Sequence, residues 1–560
     1  MDKKKPKALI NVIYVLITLT ILYFTLIPVI TVIISGLFSE GLTQDYGKAM
    51  GKIMVSMGNS FIISIPVTII ATTFGIIASI TLWRVKFFGR RFMRLLVLFP
   101  LINPPFVGSV AFIMLFGRRG LITHELLNLS VSPFGPHGVI AMQSIGLSTL
   151  AYLIISSSIK KINLNYENAS RNLGASELKT FFSVTLPAMR PEITVAAMLV
   201  FLSSMADFGT PLIIGGQFRP LASELYVQIT GRFDMNMATM MGIFLFLPCF
   251  AAFLIQMYFS RKNLYHMQWY EGENVEYRSV SKAAKILLVG GTGLFASFVT
   301  LKYGFIAIGA FTENWGHNYA FTTRHVQAIF ETNLSPFINS LKLAFGVSTV
   351  SSFMGVLLAY MLKFRKMAFG NQVDFLASVP AAVPGILLGV AYLVTFRYPL
   401  FGIGRWVFPG VDHRPFILLG TGIIIYIICI YRYLYVGLKS GYAYIENMDP
   451  NLEAASNNLG AGDVRTFFSV ILPILSPAFG AAFIRNFTTT MTTLGAIIFL
   501  LLPTNRVAVQ QVFQILTSST IGAGAAMGLL LSLVSLAALI LFQMIMNHKR
   551  IYQWMKEAIK

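Results

Sequence analysis

Residues 166–187 of this chain read YENASRNLGASELKTFFSVTLP, and residues 452–473 read LEAASNNLGAGDVRTFFSVILP. The second stretch lies 286 residues after the first, so that Gly174 aligns with Gly460. Both stretches are polar, whereas most of the chain is apolar. We call them the first motif and the second motif, because the organisation of the chain follows from their repetition.

The composition indicates an integral membrane protein. Hydrophobic residues make up 56% of the 560 residues, charged residues only 12%, and the mean hydropathy is +0.71. A soluble protein usually contains about 25% charged residues. We therefore predict an all-α integral membrane fold with about 12 transmembrane helices, each an apolar run long enough to cross a bilayer. The predicted spans are 9–37, 58–83, 93–116, 138–159, 190–214, 238–260, 284–310, 339–362, 373–396, 416–438, 478–502 and 523–547.

The net charge of +21 does not by itself indicate a nucleic-acid partner, because the charges are unevenly distributed. In the twelve-span scheme most Lys and Arg residues fall in segments on one side, which the positive-inside rule assigns to the cytoplasm. Both termini are basic and fall on that side. We predict a multi-pass protein of the cytoplasmic membrane, with both termini in the cytoplasm and no nucleic-acid partner.

The repeat extends beyond the two motifs. Asn59 aligns with Asn339 and Pro104 with Pro384, at an offset of 280 residues. A parallel duplication of this kind often places a transport pathway where the halves meet. In this scheme the first span is an extra helix that precedes the first repeat unit. The seventh span is the corresponding extra helix that precedes the second repeat unit. The predicted divisions are 1–54 (N-terminal helix and outer loop), 55–260 (first repeat unit), 261–334 (linker and seventh span), 335–545 (second repeat unit) and 546–560 (cytoplasmic tail).

Each motif is predicted to form a helix, a tight turn and a second helix. Just before the second motif, Asp449–Pro450 is typical of a helix start. Within the motif, Gly460 suits a left-handed helix end, Asp463 can cap the next helix, and Pro473 can stop that helix. The corresponding residues of the first half are Asn165, directly before the first motif, and Gly174, Ser176 and Pro187 within it. The turn would point away from the bilayer on the cytoplasmic side.

The motifs contain no paired nucleophile and base and no cluster of metal ligands, so we predict that they bind a partner rather than catalyse a reaction. Glu167 and Glu453 fall near a helix N-terminus, where the helix dipole stabilises a carboxylate. The simpler alternative is an ordinary loop with surface helices. Repetition of Phe-Phe-Ser-Val and of the glycine-to-proline spacing favours a shared docking role.

The motifs resemble the EAA motif of the type I permeases of binding-protein-dependent ABC importers, and the resemblance covers both halves. Two such units in one chain resemble the fused subfamily that includes ferric-iron importers. In that family the motif forms coupling helices that dock on ATPase subunits. The resemblance assigns this role to Glu167, Ala169, Gly174, Ala175, Glu453, Ala455, Gly460 and Ala461. Many members have Glu six residues before the glycine, where this chain has Asn168 and Ala454, so the carboxylate contact need not be shared.

The resemblance implies a permease subunit of an ATP-driven importer that is not itself an enzyme. The chain contains no Gly-x4-Gly-Lys-Ser/Thr phosphate loop, so two separate ABC ATPase subunits would bind the ATP, and this chain would bind no cofactor. An external solute-binding protein would deliver the solute. Ferric iron is the solute that the resemblance favours, with phosphonate, thiamine, a polyamine or a sulfate-like solute as alternatives. A secondary carrier or a membrane scaffold are the alternatives from other classes.

Four polar residues are candidates for a substrate pathway: Asp207, Thr210, Thr492 and Thr493. A carboxylate near the end of a span is costly unless it faces water or a partner, and the threonine run is unusually polar for a span. The alternatives are a structural hydrogen bond for Asp207 and helix packing for the threonines. The histidines show no metal-ligand spacing, and Cys249 and Cys429 fall within spans, so we predict small buried cysteines and no metal site.

Overall fold

The computed structural model describes residues 5–37, 46–102, 106–128, 132–159, 162, 164–263, 280–332, 334–397, 418–446, 448–518 and 521–546. Within these residues the chain is almost entirely α-helical, which confirms the predicted fold class. The exception to the helices is a short antiparallel hairpin of β1 (Thr312–Asn314) and β2 (Asn318–Phe321).

The α-helices follow one another along the chain with short breaks, several of them π-helical or 3-10 turns. In chain order they are α1 (Lys5–Ile21), α2 (Ile27–Leu37), α3 (Tyr46–Arg84), α4 (Arg90–Leu98), α5 (Val107–Phe116), α6 (Pro136–Ile159), α7 (Leu164–Asn172), α8 (Glu177–Thr180), α9 (Leu186–Ala206), α10 (Gly209–Ile214), α11 (Leu221–Gly231), α12 (Met235–Asn263), α13 (Lys282–Ala310), α14 (Arg324–Thr332), α15 (Ser335–Ala359), α16 (Gly370–Ala382), α17 (Gly385–Thr395), α18 (Ile423–Ile445), α19 (Leu452–Asn458), α20 (Asp463–Thr466), α21 (Leu472–Met491), α22 (Ala508–Ser518) and α23 (Ile521–Met546).

Ten helices of the described residues are long and apolar enough to cross a membrane, and eleven if α16 and α17 form one span bent by 106°. The predicted span 93–116 is the exception. It is divided between α4 and α5, each too short to cross alone, and Pro100 lies in a 3-10 turn after α4. Prolines disfavour helical conformation in the preceding residue and remove a backbone donor, so the Pro-rich sequence interrupts this run.

The helices group into two compact units that do not follow the sequential division of the chain. One unit contains residues 1–39, 332–511 and 530–560, and the other contains residues 40–331 and 512–529. The leading helices α1 and α2 therefore pack with the second half and α13 with the first half, the opposite of the sequential scheme.

Specific contacts hold these exchanged helices. In the unit with the second motif, the Tyr392 hydroxyl donates to the Phe24 carbonyl oxygen at 2.6 Å, and the Phe24 ring stacks on Tyr431 with centroids 5.0 Å apart. In the unit with the first motif, the Phe74 and Phe295 rings stack at 4.1 Å. Buried aromatic contacts between distant segments, which no local sequence pattern reports, decide this exchange.

A pair of glycines at equivalent repeat positions lets two helices approach closely in each unit. A Cβ on Gly75 of α3 would lie 2.8 Å from the Ala151 Cβ of α6, and a Cβ on Gly355 of α15 would lie 2.5 Å from the Leu434 carbonyl oxygen of α18. Each repeat unit thus contains the same tight crossing, with small residues where the backbones meet.

We expect Gly75→Ala to destabilise the protein by about 1–3 kcal/mol, because the new methyl group has no room against Ala151 and Tyr152. Gly58→Ala on the same helix is the matched control, since nothing lies within 4 Å of its Cβ position. The control should show no loss, because alanine favours a helix over glycine by about 1 kcal/mol. The midpoint of thermal unfolding in detergent measures both. Equal midpoints would contradict the tight crossing.

Candidate functional site

The first motif turns at Gly174, which ends α7 with a left-handed backbone (φ +84°). The Ala175 N–H donates to the Ser170 carbonyl at 3.1 Å, and the Gly174 N–H donates to the Arg171 carbonyl at 2.8 Å. This pair of bonds is the Schellman arrangement, which satisfies carbonyl groups at a helix end. No atom lies within 4 Å of a Cβ on Gly174, so only the backbone conformation demands glycine here.

The second motif repeats this turn bond for bond. Gly460 has φ +87°, its N–H donates to the Asn457 carbonyl at 3.0 Å, and the Ala461 N–H donates to the Ser456 carbonyl at 3.1 Å. The prediction of a left-handed glycine at both turns is confirmed. Because a left-handed conformation disfavours residues with a Cβ, the two glycines fix where each motif reverses direction.

The helix starts differ from the predictions in three places. Ser176 caps α8 as predicted, accepting from the Lys179 N–H at 3.3 Å. In the second motif, however, Gly462 holds the N-cap position and Asp463 is the first helical residue, so the predicted Asp463 cap is wrong. The helix α19 begins only at Leu452, with Asp449 and Pro450 in the preceding turn. Asn165 likewise lies within α7 rather than capping it.

The prolines do not stop the second helix of either motif. A π-helical turn, 181–185 or 467–471, joins α8 to α9 and α20 to α21, so that Glu177–Ala206 and Asp463–Met491 are each one continuous span. Pro187 and Pro473 are each the second residue after the π-turn, which interrupts the regular i→i−4 hydrogen bonding that a proline would break. The predicted stop at these prolines is wrong, and each motif instead continues into a membrane helix.

Both motif glutamates point into the protein. Glu167 is only 2% exposed, and its Oε1 accepts from the Thr185 hydroxyl at 2.7 Å. Glu453 accepts from the Tyr360 hydroxyl and forms a salt bridge with Arg365. A carboxylate in this orientation ties the motif to its own helices.

Arg365 links the second motif to the end of α15. Its guanidinium also pairs with Asp463 at 2.9 Å and donates from Nε to the Tyr360 hydroxyl at 2.9 Å. Burial lowers the pKa of Arg365, but the Asp463 hydrogen bond and the charges of its other neighbours raise that pKa above its usual value, so the group stays cationic. Sequence reasoning missed this cluster because Arg365 falls in a basic loop that the positive-inside rule already explains.

The opposite face of each motif is exposed and apolar. Leu173 is 89% and Leu459 88% exposed, directly before the turn glycines. Phe182 and Phe468 are exposed at matching positions of the π-turns. The predicted coupling residues share this repeated pattern: Ala169, Gly174, Ala455 and Gly460 are exposed, and Ala175 and Ala461 are partly exposed. We call this the outer face of the motifs. Large exposed apolar side chains at repeated positions are typical of a protein-binding surface.

The candidate pathway residues make local hydrogen bonds. Asp207 follows α9, and its Oδ1 accepts from the backbone N–H groups of Gly209 and Thr210 at 3.0 and 3.1 Å, which supports the start of α10. Its Oδ2 accepts from Gln143 Nε2 at 2.9 Å, and Ser204 donates to Gln143 Oε1 at 2.6 Å. Gln143, which sequence reasoning missed, therefore orients Asp207.

The candidates Thr492 and Thr493 belong to the other unit. Thr492 donates back to the Thr488 and Thr489 carbonyls, and Thr493 contacts the Tyr433 hydroxyl. Nearby, the buried Asn486 side chain donates to the hydroxyls of Ser351 and Ser352. These serines lie on α15, which is far from Asn486 in the sequence. These bonds account for the local polarity of the run.

Cys249 and Cys429 are both buried free thiols, as predicted. Among the described residues no three of His, Cys, Asp and Glu lie close enough to hold a metal ion. His413 falls outside the described residues.

Comparison with known proteins shows a matching domain in the first half of the chain. Residues 71–265, which include the first motif, match the family described as the inner membrane component of binding-protein-dependent transport systems. Residues 71–265 thus contain a domain of this kind of permease component.

Relatives of the permease cover both of its halves. The ferric transport system permease protein FbpB of Actinobacillus pleuropneumoniae is 27% identical over 96% of this chain and 78% of its own length. The Fe(3+)-transport system permease protein FbpB 2 of Haemophilus influenzae is 24% identical over 82% of this chain and 84% of its own. The molybdenum transport system permease protein ModB of Mycobacterium bovis is 32% identical over 29% of this chain and 63% of its own. The permease is thus a multi-pass inner membrane protein.

We expect Arg365→Leu to lower the free energy of unfolding of the permease by about 3–5 kcal/mol, because it leaves the buried Asp463 and the partly buried Glu453 without their cation. Lys363→Leu is the matched control, since Lys363 makes an exposed pair with Glu446 at 3.8 Å worth about 0–1 kcal/mol. Thermal unfolding in detergent compares the two. A loss for Arg365→Leu no larger than the control's would mean that the cluster does not hold the second motif.

Proposed function

We propose that the permease is the membrane-spanning subunit of an ATP-driven importer and that its two motifs dock on two separate ABC ATPase subunits. The observation that supports this most strongly is the repeated outer face, with Leu173 and Leu459 almost fully exposed at two equivalent turns. Large apolar side chains that are exposed on a polar turn are stabilised when a partner covers them. Two equivalent faces suit two equivalent partners.

The outer face, rather than the glutamates, makes the contact in this proposal. Ala169, Gly174 and Ala175 in the first motif, and Ala455, Gly460 and Ala461 in the second, are small residues that let a partner surface approach the helix backbone. Glu167 and Glu453 do not contact the partner in this proposal. Their carboxylates fix the angle between each motif and the membrane helices. The coupling role of the glutamates is thus one of positioning.

The continuous helices supply the mechanism of coupling. Each motif extends without a break into a span, through 181–185 in one case and 467–471 in the other. Closure of the ATPases around ATP would displace the motifs, and a rigid helix would carry that displacement into the bilayer. The two halves would then open alternately towards outside and inside around a pathway. The docking side is the cytoplasmic side, where both termini lie, and an external binding protein delivers the solute from the other side.

We expect the double variant Leu173→Ser with Leu459→Ser to lose co-purification of the ATPase subunits and to lose transport, because it removes the apolar anchors of both faces. The variant Leu126→Ser with Leu127→Ser is the matched control, since both leucines are exposed but lie on the segment after α5. Affinity purification of the assembled transporter from membranes measures the association. An intact assembly containing the serine variant of the motifs would refute the docking face, and a secondary carrier would then become the better hypothesis.

We propose ferric iron as the solute, on the ground that relatives matching 82% and 96% of this chain are named ferric transport permeases. A phosphonate, thiamine, a polyamine or a sulfate-like solute is the alternative, and a shorter match is named for molybdenum transport. In this proposal Asp207, Thr210, Thr492 and Thr493 are candidate pathway residues. The ferric ion is cargo and is not a resident cofactor.

Deletion of the gene from its host should reduce uptake of radiolabelled ferric iron, and the wild-type gene should restore it. The leucine double variant of the motifs should fail to restore uptake, whereas the Leu126 and Leu127 control should succeed. Unchanged iron uptake in the deletion strain would remove iron as the solute. That outcome would leave the docking proposal intact, because association with the ATPase is measured separately.

A further inference from the structure

Lys302 is a buried charge that neither the motifs nor the candidate pathway accounts for. It lies in α13, and only 2% of its surface is exposed. Among the residues that the structure describes, Lys302 makes no salt bridge and no hydrogen bond; its ammonium lies 5.1 Å from the centre of the Tyr303 ring. The position is about 12 Å from the carboxyl end of α13, given 1.5 Å per residue and eight residues to Ala310. A cation at this depth of an apolar span is costly without a partner.

The Lys302 ammonium lies beside the first turn of α5. Its Nζ is 3.6 Å from the position that a Cβ on Gly108 would occupy, and Gly108 is the second residue of that ten-residue helix. The N-cap residue, Phe106, offers no side-chain acceptor. The first backbone N–H groups of a helix have no partner within it, and the helix dipole adds partial positive charge at this end.

Two positive groups thus lie side by side in apolar surroundings, which include the Met142 methyl group 3.0 Å from the same Cβ position. They repel each other, and each would be stabilised by negative charge. A helix N-terminus is a ready anion site, since its N–H groups converge on the ligand. An ammonium adds charge-assisted hydrogen bonds to the same ligand. The arrangement has the donors and the charge for an anion.

We propose that Lys302 and the N-terminus of α5 form a binding site for a small oxyanion such as phosphate or sulfate. The anion accepts from the Lys302 ammonium on one side and from the first N–H groups of α5 on the other. Gly108 keeps the space between them open, because any side chain there would meet Lys302 and Met142. The site lies wholly within one unit and requires neither ATP nor a particular transported solute.

The other unit contains a related arrangement at the repeat-equivalent place. The helix α17 begins at Gly385, after Pro384, which aligns with Pro104. Both terminal guanidinium nitrogens of Arg432 lie 3.3 Å from a Cβ position on Gly385, and one of them donates to the Val383 carbonyl at 3.4 Å. Both halves therefore place a cation against a glycine at this helix start. Arg432 has a carbonyl acceptor, whereas Lys302 has none among the described residues, so the Lys302 site is the one proposed.

Isothermal titration of the purified full-length permease in lipid nanodiscs, with sodium phosphate and with sodium sulfate at constant ionic strength, tests the site. We expect saturable binding of at least one of the two anions, weakened at least tenfold by Lys302→Met and largely kept by Lys302→Arg. Lys285→Met is the matched control, because it removes an exposed lysine from the same helix. Absence of binding to the wild type, or equal binding by Lys302→Met, would overturn the proposal.

Thermal unfolding of the same samples separates anion binding from a purely structural lysine. The bound anion should raise the unfolding midpoint of the wild type and leave that of Lys302→Met unchanged, because a ligand stabilises only the state that binds it. Without anion, Lys302→Met should unfold no earlier than the wild type, since it removes an unpaired buried charge. The proposed site is wrong if Lys302→Met unfolds at a lower temperature than the wild type and phosphate and sulfate still raise its unfolding midpoint as they raise that of the wild type.

Gly108→Val gives a second variant in case Lys302→Met does not fold. It leaves the lysine in place and fills the space between the ammonium and the helix start. Anion affinity should fall at least tenfold, as in Lys302→Met. Undiminished binding by a folded Gly108→Val protein would exclude the N-terminus of α5 from the site.

Discussion

The inward-facing carboxylate of each motif is the constraint on which the orientation of the motif depends. Glu167 binds Thr185, and Glu453 binds Arg365 and Tyr360, so each glutamate ties the helix before the turn to the helices that enter the membrane. Because these contacts hold the glutamate side of each motif against the protein, the opposite side of the motif faces outward. The exposure of the leucine before each turn glycine follows from this orientation. A polar motif in an apolar chain thus becomes a surface of defined direction.

The two motifs share their backbone but not their anchoring. Hydrogen bonds across the turn recur at equivalent positions, Ser170 with Thr180 and Ser456 with Thr466, at 3.2 and 2.9 Å. The first glutamate has a neutral hydroxyl partner, whereas the second belongs to a cluster with a guanidinium and a second carboxylate. Removal of one member of a charged cluster leaves the others unpaired in a poorly solvated place. A single chain can therefore hold the outer faces of its two motifs with different strength.

Much of the fold was predictable, because membrane helices follow from local composition. The apolar runs correctly indicated eleven of the twelve spans when the bent pair is counted as one, and the glycines correctly indicated the turns. The errors have local physical causes. Pro473 follows a π-turn that lets the helix continue, and the prolines near residue 100 divide a run that hydropathy alone would join. Hydropathy reports burial in the bilayer but carries no information on backbone hydrogen bonding.

The sequence by itself determined the membrane class, the duplication and the position of each turn, because these depend on composition, spacing and the backbone freedom of glycine. Only the tertiary structure decided that the glutamates face inward, that the leading helix packs with the second half, and that Lys302 lies against the start of α5. Each of these depends on contacts between residues far apart in the chain. Such contacts arise from helix packing, and no periodicity within a single segment encodes them.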